Sequence, residues 1–292
     1  MNAPWHQPRQ KDALPQLCQT GVRCGRFDLA FARHGARTHL GRQFVSYPFH
    51  MTRPFALDAA IPSLLTIYQQ SSSGGLYRAE QLASRYDVGA AAAAHVTTQA
   101  ATIVHDCHGQ PAFQRSEIAL EEGAFLALTP DPLVLFPGAS CSTILYARLA
   151  PGAVLFLSDA FACHDPEGRS RPFDRLASDL TIEDDTGRLL VRDSFQIAGQ
   201  ALAGAASPIG TWRVVANFML LGDHNRLPTR EALAGLSPTP QLVTGVTALP
   251  NGSGWGVRCL AADAIATRGM AESLFALTVL AAFGQQPAPR RK

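Results

Sequence analysis

The sequence predicts a mainly β protein, with a β-helix or solenoid-like body of many short strands and about two α-helices, the longer at the C-terminus. Two observations carry this prediction. Gly-Ala pairs at Gly89, Gly123, Gly138 and Gly152 each follow a turn and open an apolar segment. Between the turns, apolar residues alternate with polar or small ones, as on half-buried strands. Since glycine supplies the positive φ of a tight turn, we interpret these pairs as corners between strands.

The Gly-Ala turns recur at spacings of about 34 and 29 residues, which favours a repeated structural unit. Residues 120–128 and 149–157 fit one template well: an apolar position, two spacers, Gly-Ala, then alternating apolar residues. Three loose copies do not separate a solenoid coil from a meander. Ordinary hairpin turns in a β-sandwich would give the same signal.

Individual strands follow from the period-two pattern. Residues 26–33 alternate large apolar and polar or small side chains, and a turn at residues 34–35 leads into a second strand over residues 38–46. The Asp-Asp-Thr-Gly turn within residues 179–193 predicts a β-hairpin. A further strand is expected over residues 208–221.

Two segments have helical character. Thr229 is a good N-cap for a helix over residues 229–236, with Glu231 in its first turn. Residues 261–283 are mostly apolar and predict a longer helix that must bury one face. Residues 197–206 are rich in alanine and glycine, and they fit either a short helix or a link.

No linker divides the chain, so we expect one β domain over residues 21–284. Residues 1–20 predict a flexible N-terminal tail, because they are rich in polar residues and proline. Residues 285–292 predict a basic C-terminal tail for the same reason.

Composition excludes several classes of function. The formal net charge is only +2 over 292 residues, without the basic stripe of a nucleic-acid-binding protein. The first ten residues do not resemble a signal peptide, and the apolar run of residues 274–283 is too short to span a bilayer. Six scattered cysteines without C-x-x-C spacing predict reduced thiols. We therefore expect a cytoplasmic protein with neither membrane nor nucleic-acid partners.

The sequence contains no nucleophile elbow, phosphate loop or zinc box, so we expect no catalytic residues and no enzyme activity. Residues 106–108 and 163–165 each join cysteine, histidine and aspartate, but neighbours on a strand point to opposite faces. The favoured interpretation is that both triplets lie in turns or on the surface and do not bind a metal ion. Asp159 lies within the apolar run of residues 154–161, where a carboxylate needs a partner or a polar cavity.

Five segments occur in an order typical of one protein family. They are residues 53–55, 74–80, 97–105, 129–139 and the strand that follows Ser158. In this order and spacing, over residues 24–284, the chain resembles the urease accessory protein UreD, also called UreH. It departs from the family pattern at Ile103 and His105, where the family has lysine and tyrosine. The resemblance is therefore to a diverged member.

This resemblance implies a maturation factor without catalytic activity. UreD-like proteins are β-helical bodies that bind UreF, recruit the GTPase UreG, dock on apo-urease and help to deliver nickel. By position, the resemblance makes Glu80, Thr102 and Asp159 candidates to line a nickel passage, with nickel in transit and no permanently bound cofactor. It also makes residues 261–283 a candidate UreF-facing helix, and it is compatible with a dimer of heterocomplexes.

Two other classes of function fit the residues taken alone. Glu80 and Asp159 could form the acid pair of a β-solenoid or sandwich hydrolase, which requires both carboxylates to face an open cleft. The chain could also be a plain β interaction module with no metal role.

Overall fold

The computed structural model describes residues 22–236 and 239–290. Within them the chain forms seventeen strands and two α-helices, α1 (Arg230–Ala234) and α2 (Ala264–Phe283). The strands are β1 (Cys24–His34), β2 (Arg37–Val45), β3 (Phe49–Met51), β4 (Leu64–Ser71), β5 (Gln81–Val88), β6 (Ala93–Thr98), β7 (Thr102–Val104), β8 (Ala112–Leu120), β9 (Phe125–Thr129), β10 (Leu133–Leu135), β11 (Ser140–Leu149), β12 (Val154–Cys163), β13 (Arg175–Asp184), β14 (Leu189–Ala198), β15 (Val214–Gly222), β16 (Leu242–Ala248) and β17 (Gly254–Ala261).

The strands form a seven-stranded and a ten-stranded sheet, and the chain winds between them as a stacked coil. In the ten-stranded sheet β4, β6, β9 and β12 pair in parallel. In the seven-stranded sheet β5, β8, β11 and β13 do the same. Short β7 and β10 form a third wall beside the end of β12. The predicted solenoid-like, mainly β fold is confirmed, and antiparallel hairpins close its edges.

The Gly-Ala turns are corners of successive coils, as predicted. Gly123, Gly138 and Gly152 have φ values of +65°, +73° and +70°. The Gly123 amide donates to the carbonyl of Pro151 in the next coil over 3.0 Å, so the two corners stack directly. A Cβ at Gly138 would lie 2.6 Å from a neighbouring carboxyl group, which excludes larger residues there. Gly89 turns without a positive φ.

Two hydrophobic cores lie on opposite sides of the ten-stranded sheet. The inter-sheet core fills the space inside the coil, with Phe27, Leu126 and Leu155 among its buried side chains. The helix-covered core lies between the other side of the ten-stranded sheet and the two helices, and it includes Phe218 and Leu274. The molecule thus has three layers: sheet, sheet and helices.

Both helices begin at side-chain caps. Thr229 accepts the first-turn amide of α1, as predicted, and Asp263 accepts the amide of Ala266 over 2.8 Å at the start of α2. α2 begins three residues later than predicted, because β17 continues to Ala261 in its pairing with β15 and β16. Gly284, with φ of +68°, ends the helix.

α2 has twenty residues and extends well beyond the ten-residue apolar run that is too short to span a bilayer. By length and composition alone it could cross a membrane. Its buried side chains, which include Met270, Leu274 and Phe275, instead belong to the helix-covered core.

Two other boundaries differ from prediction. β15 begins at Val214 instead of residue 208, because Pro208 lacks a backbone donor and Gly210 turns the chain with φ of +56°. The ambiguous segment 197–206 contains one short 3-10 turn, Gly199–Leu202.

Only the C-terminal of the two predicted tails falls in part within the described residues. The N-terminal tail, residues 1–20, lies outside the described residues. Of the predicted basic C-terminal tail, residues 285–290 are described, and Arg290 is held against the body by Asp58.

Candidate functional site

Polar side chains interrupt the apolar lining between the two sheets. We call them the inner polar row: Ser84, Gln114, Ser116, Thr143 and Ser178 on the seven-stranded sheet, and Asp159 and Asn217 on the ten-stranded sheet. Side chains two residues apart on a strand point to the same face of the sheet. The residues two positions away from each member of the row point inward, so each member also points into the space between the sheets.

The strand registers align this row across the coils. Ser84 pairs with Ser116, and Thr143 pairs with both Gln114 and Ser178. All of these residues retain some accessible surface, although they lie between the two sheets. The space between the sheets is therefore polar and partly open to solvent at this level.

Asp159 is the carboxylate of the inner polar row. On β12 it lies between Leu157 and Phe161, which both belong to the inter-sheet core. Ser178 donates to Asp159 Oδ2 over 3.3 Å from the facing sheet. Burial raises the pKa of Asp159, and the nearby Asp193 carboxylate adds to the rise, while the Ser178 hydrogen bond opposes it. One hydroxyl is a weak partner for a buried charge.

The row continues from Asp159 towards the molecular surface. Asn217 lies opposite Asp159 in the β12–β15 register and donates to Asp193 Oδ2 over 3.2 Å. Arg258, on β17, reaches the same Asp193 oxygen over 3.4 Å and is 71% exposed. The polar groups thus connect the interior with solvent at this end of the sheets.

Glu80 is the second candidate carboxylate, directly before β5, and its side chain is 1% exposed. Its Oε2 accepts the Tyr77 amide over 3.0 Å, whereas Oε1 has no hydrogen-bond donor among the described residues. The guanidinium of Arg23 lies 3.9 Å from Oε1 and stacks between the rings of Tyr47 and Tyr77. Burial raises the pKa of Glu80, and the Tyr77 hydrogen bond only partly offsets it.

Thr102 begins β7 and faces the same interior as Val104. Across the third wall, Thr102 pairs with Leu133, and Leu133 pairs with Phe161. Two strand spacings therefore separate Thr102 from Phe161, roughly 10 Å. Asp159 lies two residues before Phe161 on the same strand.

The three candidate residues share one interior but do not converge on one point. Glu80 lies at the start of β5, next to the seven-stranded sheet. Thr102 lies on the third wall, and Asp159 lies on β12 of the ten-stranded sheet. Within residues 22–236 and 239–290, no three histidine, cysteine or acidic side chains are grouped closely enough to hold a metal ion. The three residues are separate oxygen donors and do not form a closed coordination site.

The two cysteine-histidine-aspartate triplets lie at turns or strand ends, as the favoured interpretation expected. Cys107 is buried and its thiol donates to the carbonyl of Ser140 over 3.2 Å, whereas His108 is 69% exposed and lies 3.3 Å from Asp106. In the second triplet, Arg171 holds the pKa of Asp165 well below its usual range by hydrogen bonding to it.

Most of the inner polar row was not singled out from the sequence. Hydroxyl residues at inward strand positions are the signal that could have found it, but inward and outward positions become distinguishable only once the register is known. On β6, Thr97 donates to the Thr129 carbonyl, and Thr98 accepts the amide of Asp131.

The outer face of α2 is a second candidate site. Ile265 is 78% exposed and Leu280 is 37% exposed, one near each end of the helix. Gly269 lies between them in sequence and is exposed, and a Cβ there would contact nothing within 4 Å. The exposed face of α2 thus carries apolar side chains near both ends, with the charged Arg268 and Glu272 exposed between them.

Fold and site together define a solenoid scaffold with a polar interior and an exposed helical face. A family model described as UreD urease accessory protein matches residues 23–292. The chain is 43% identical to Urease accessory protein UreD 1 of Methylorubrum extorquens (strain PA1) over 269 residues, 90% of each chain. It is 42% identical to Urease accessory protein UreD 1 of Bradyrhizobium sp. (strain BTAi1), covering 90% of this chain and 93% of the relative. The chain belongs to the UreD family of urease accessory proteins, as its resemblance implied.

Proposed function

We propose that this protein is a non-catalytic, cytoplasmic maturation factor that scaffolds UreF and UreG on apo-urease and passes nickel towards the urease active site. Membership of the UreD family supports the role in urease maturation. The observation that carries the nickel step is the pair of weakly partnered carboxylates, the buried Glu80 and the half-buried Asp159. Nickel is cargo here, not a resident cofactor.

The chemistry of the interior suits an ion in transit. Carboxylate and hydroxyl oxygens bind borderline divalent ions, while a row without a convergent ligand set does not retain them. Burial raises the free energy of an ionised carboxylate. A cation that passes Glu80 and then Asp159 would therefore stabilise the charged form of each. Thr102 would contribute a neutral oxygen on the third wall.

The exposed face of α2 is proposed to contact UreF. Ile265 and Leu280 supply apolar contacts at either end, and Gly269 permits close approach between them. Two such heterocomplexes could then associate around the urease, which gives the dimer of heterocomplexes.

The nickel step is tested with Asp159→Asn in cells that co-express urease, UreF and UreG. We expect urease nickel content, measured by mass spectrometry, to fall several-fold, while pull-down of the complex is unchanged. Asp179→Asn is the matched control, because Asp179 lies on the other face of β13 and is 45% exposed. Normal nickel content with Asp159→Asn and Glu80→Gln would contradict the passage.

The hydrolase alternative finds no support in this geometry. Glu80 is completely buried beside Arg23, and Asp159 lies in a different coil with Ser178 as its hydrogen-bond partner. An acid pair needs both carboxylates at one cleft that admits a substrate. The proposed interior passage accounts for both residues without such a cleft.

A further inference from the structure

The described end of the chain is fixed to the body by a buried ion pair. Arg290 Nη2 lies 2.7 Å from Asp58 Oδ2, and Nη1 lies 3.1 Å from Oδ1. The two side chains are only 4% and 1% exposed. Asp58 belongs to the connection between β3 and β4, so the pair joins the first coil to the C-terminal segment.

The ion pair is completed by hydrogen bonds. The Ala288 amide donates to Asp58 Oδ1 over 2.6 Å, and the Ala288 carbonyl accepts from Arg290 Nη1 over 2.7 Å. Arg290 Nε lies 3.4 Å from His95 Nδ1. A buried pair is costly unless its remaining donors and acceptors are satisfied, and this one has the bidentate geometry that favours a fixed arrangement.

Arg290 also contacts α2. The Phe275 ring stacks on the His95 ring with centroids 4.2 Å apart, and the Arg290 guanidinium lies over Phe275 at 4.9 Å. Phe275 therefore contacts both β6, through His95, and the C-terminal segment, through Arg290. A cation over an aromatic face adds electrostatic attraction to this packing.

We propose that Asp58 and Arg290 form a latch that fixes the C-terminal half of α2 on the ten-stranded sheet. Apolar packing alone is non-directional and allows a helix to shift along a sheet. The latch sets the position of Phe275 through contacts with defined geometry. It thereby fixes the orientation of the exposed face of α2. The role of that orientation in docking rests on the proposed contact with UreF.

Hydrogen exchange of the purified full chain tests the latch directly. In Arg290→Gln, we expect amides in the second half of α2 to exchange about tenfold faster or more, with little change in β8 and β11, because local opening follows the contacts that are lost. Asp58→Asn should give the same pattern. Arg192→Gln is the matched control, because Arg192 is 65% exposed and lies 3.8 Å from Asp179 in a surface pair.

Two further measurements keep the latch separate from UreF docking. Arg290→Lys keeps the charge but loses the bidentate geometry, so its exchange should lie between wild type and Arg290→Gln. Unchanged exchange of α2 in both Arg290→Gln and Asp58→Asn would overturn the latch. If exchange rises but UreF affinity stays at the wild-type value, the latch stands and the proposed UreF contact with α2 is wrong.

Discussion

The two sides of the ten-stranded sheet differ in what they enclose. On its outer side, Phe156 and Phe218 belong to the helix-covered core, which also encloses a few buried hydroxyl side chains such as Thr129 and Ser158. On its inner side, the same strands carry Asp159 and Asn217 into a half-open polar row. One strand, β12, supplies both environments because successive side chains point to opposite faces.

This difference separates stability from function within one sheet. Apolar burial on both sides of the sheet stabilises the fold, and the weakly partnered carboxylates on the inner side reduce that stabilisation. Proteins commonly tolerate such a cost where a site requires it. We therefore expect mutations on the two sides to have opposite effects on stability and on nickel delivery.

The largest effect is expected on the helix side. Leu274→Ala should lower the free energy of unfolding by about 2–5 kcal/mol, because it leaves a cavity in a packed core. Leu274 is completely buried on α2. Urea unfolding followed by circular dichroism measures the change.

Leu280→Ala is the control on the same helix. Leu280 is 37% exposed, so Leu280→Ala should lower the free energy of unfolding by much less than Leu274→Ala does. Equal losses at the two positions would show that α2 does not hold the sheet through its buried face.

A smaller, pH-dependent effect is expected on the inner side. Burial raises the pKa values of Glu80 and Asp159 in the folded protein. Their favourable contribution is therefore complete below the ordinary carboxyl pKa and is lost as pH rises through the raised value. Between pH 4 and pH 7, the stability of Glu80→Gln and Asp159→Asn should improve relative to wild type, by on the order of 1 kcal/mol. Unfolding curves across this range measure it.

Asp165→Asn should change stability with the opposite pH dependence. Hydrogen bonding to Arg171 lowers the pKa of Asp165, so its contribution is present at neutral pH and is lost as pH falls. Asp165→Asn should then be destabilised relative to wild type at neutral pH, and the difference should shrink in acid. The same pH trend in all three variants would refute the assignment of Glu80 and Asp159 to a desolvated interior.

Local sequence signals predicted much of this fold. Alternation at Phe27, Leu29 and Phe31 located β1, and the Gly-Ala turns located the corners at Gly123 and Gly152, because each signal depends on neighbours in sequence. These signals could not separate a solenoid from a meander. That distinction depends on parallel pairing between segments about 30 residues apart.

The candidate site was less accessible to sequence reasoning. Asp159 was recognisable as a charge in an apolar run, but its partner Ser178 comes from the facing sheet. The latch was missed because Asp58 and Arg290 lie 232 positions apart and the end of the chain has the composition of a loose tail. Composition describes a segment's average preference, whereas one buried arginine can fix it in place.

The smallest effect on stability is expected on the exposed face of α2. Ile265→Gln should change the free energy of unfolding by less than about 0.5 kcal/mol, since Ile265 is 78% exposed. If this face contacts UreF, the same change should weaken UreF binding about tenfold, because apolar anchors at an interface typically contribute more than 1 kcal/mol. Ile144→Gln is the control of the same residue type, on the seven-stranded sheet and 37% exposed. Titration calorimetry with purified UreF measures the affinity of both variants. Equal affinities would show that UreF does not contact this face of α2. The comparison between the two sides of the sheet would be unaffected.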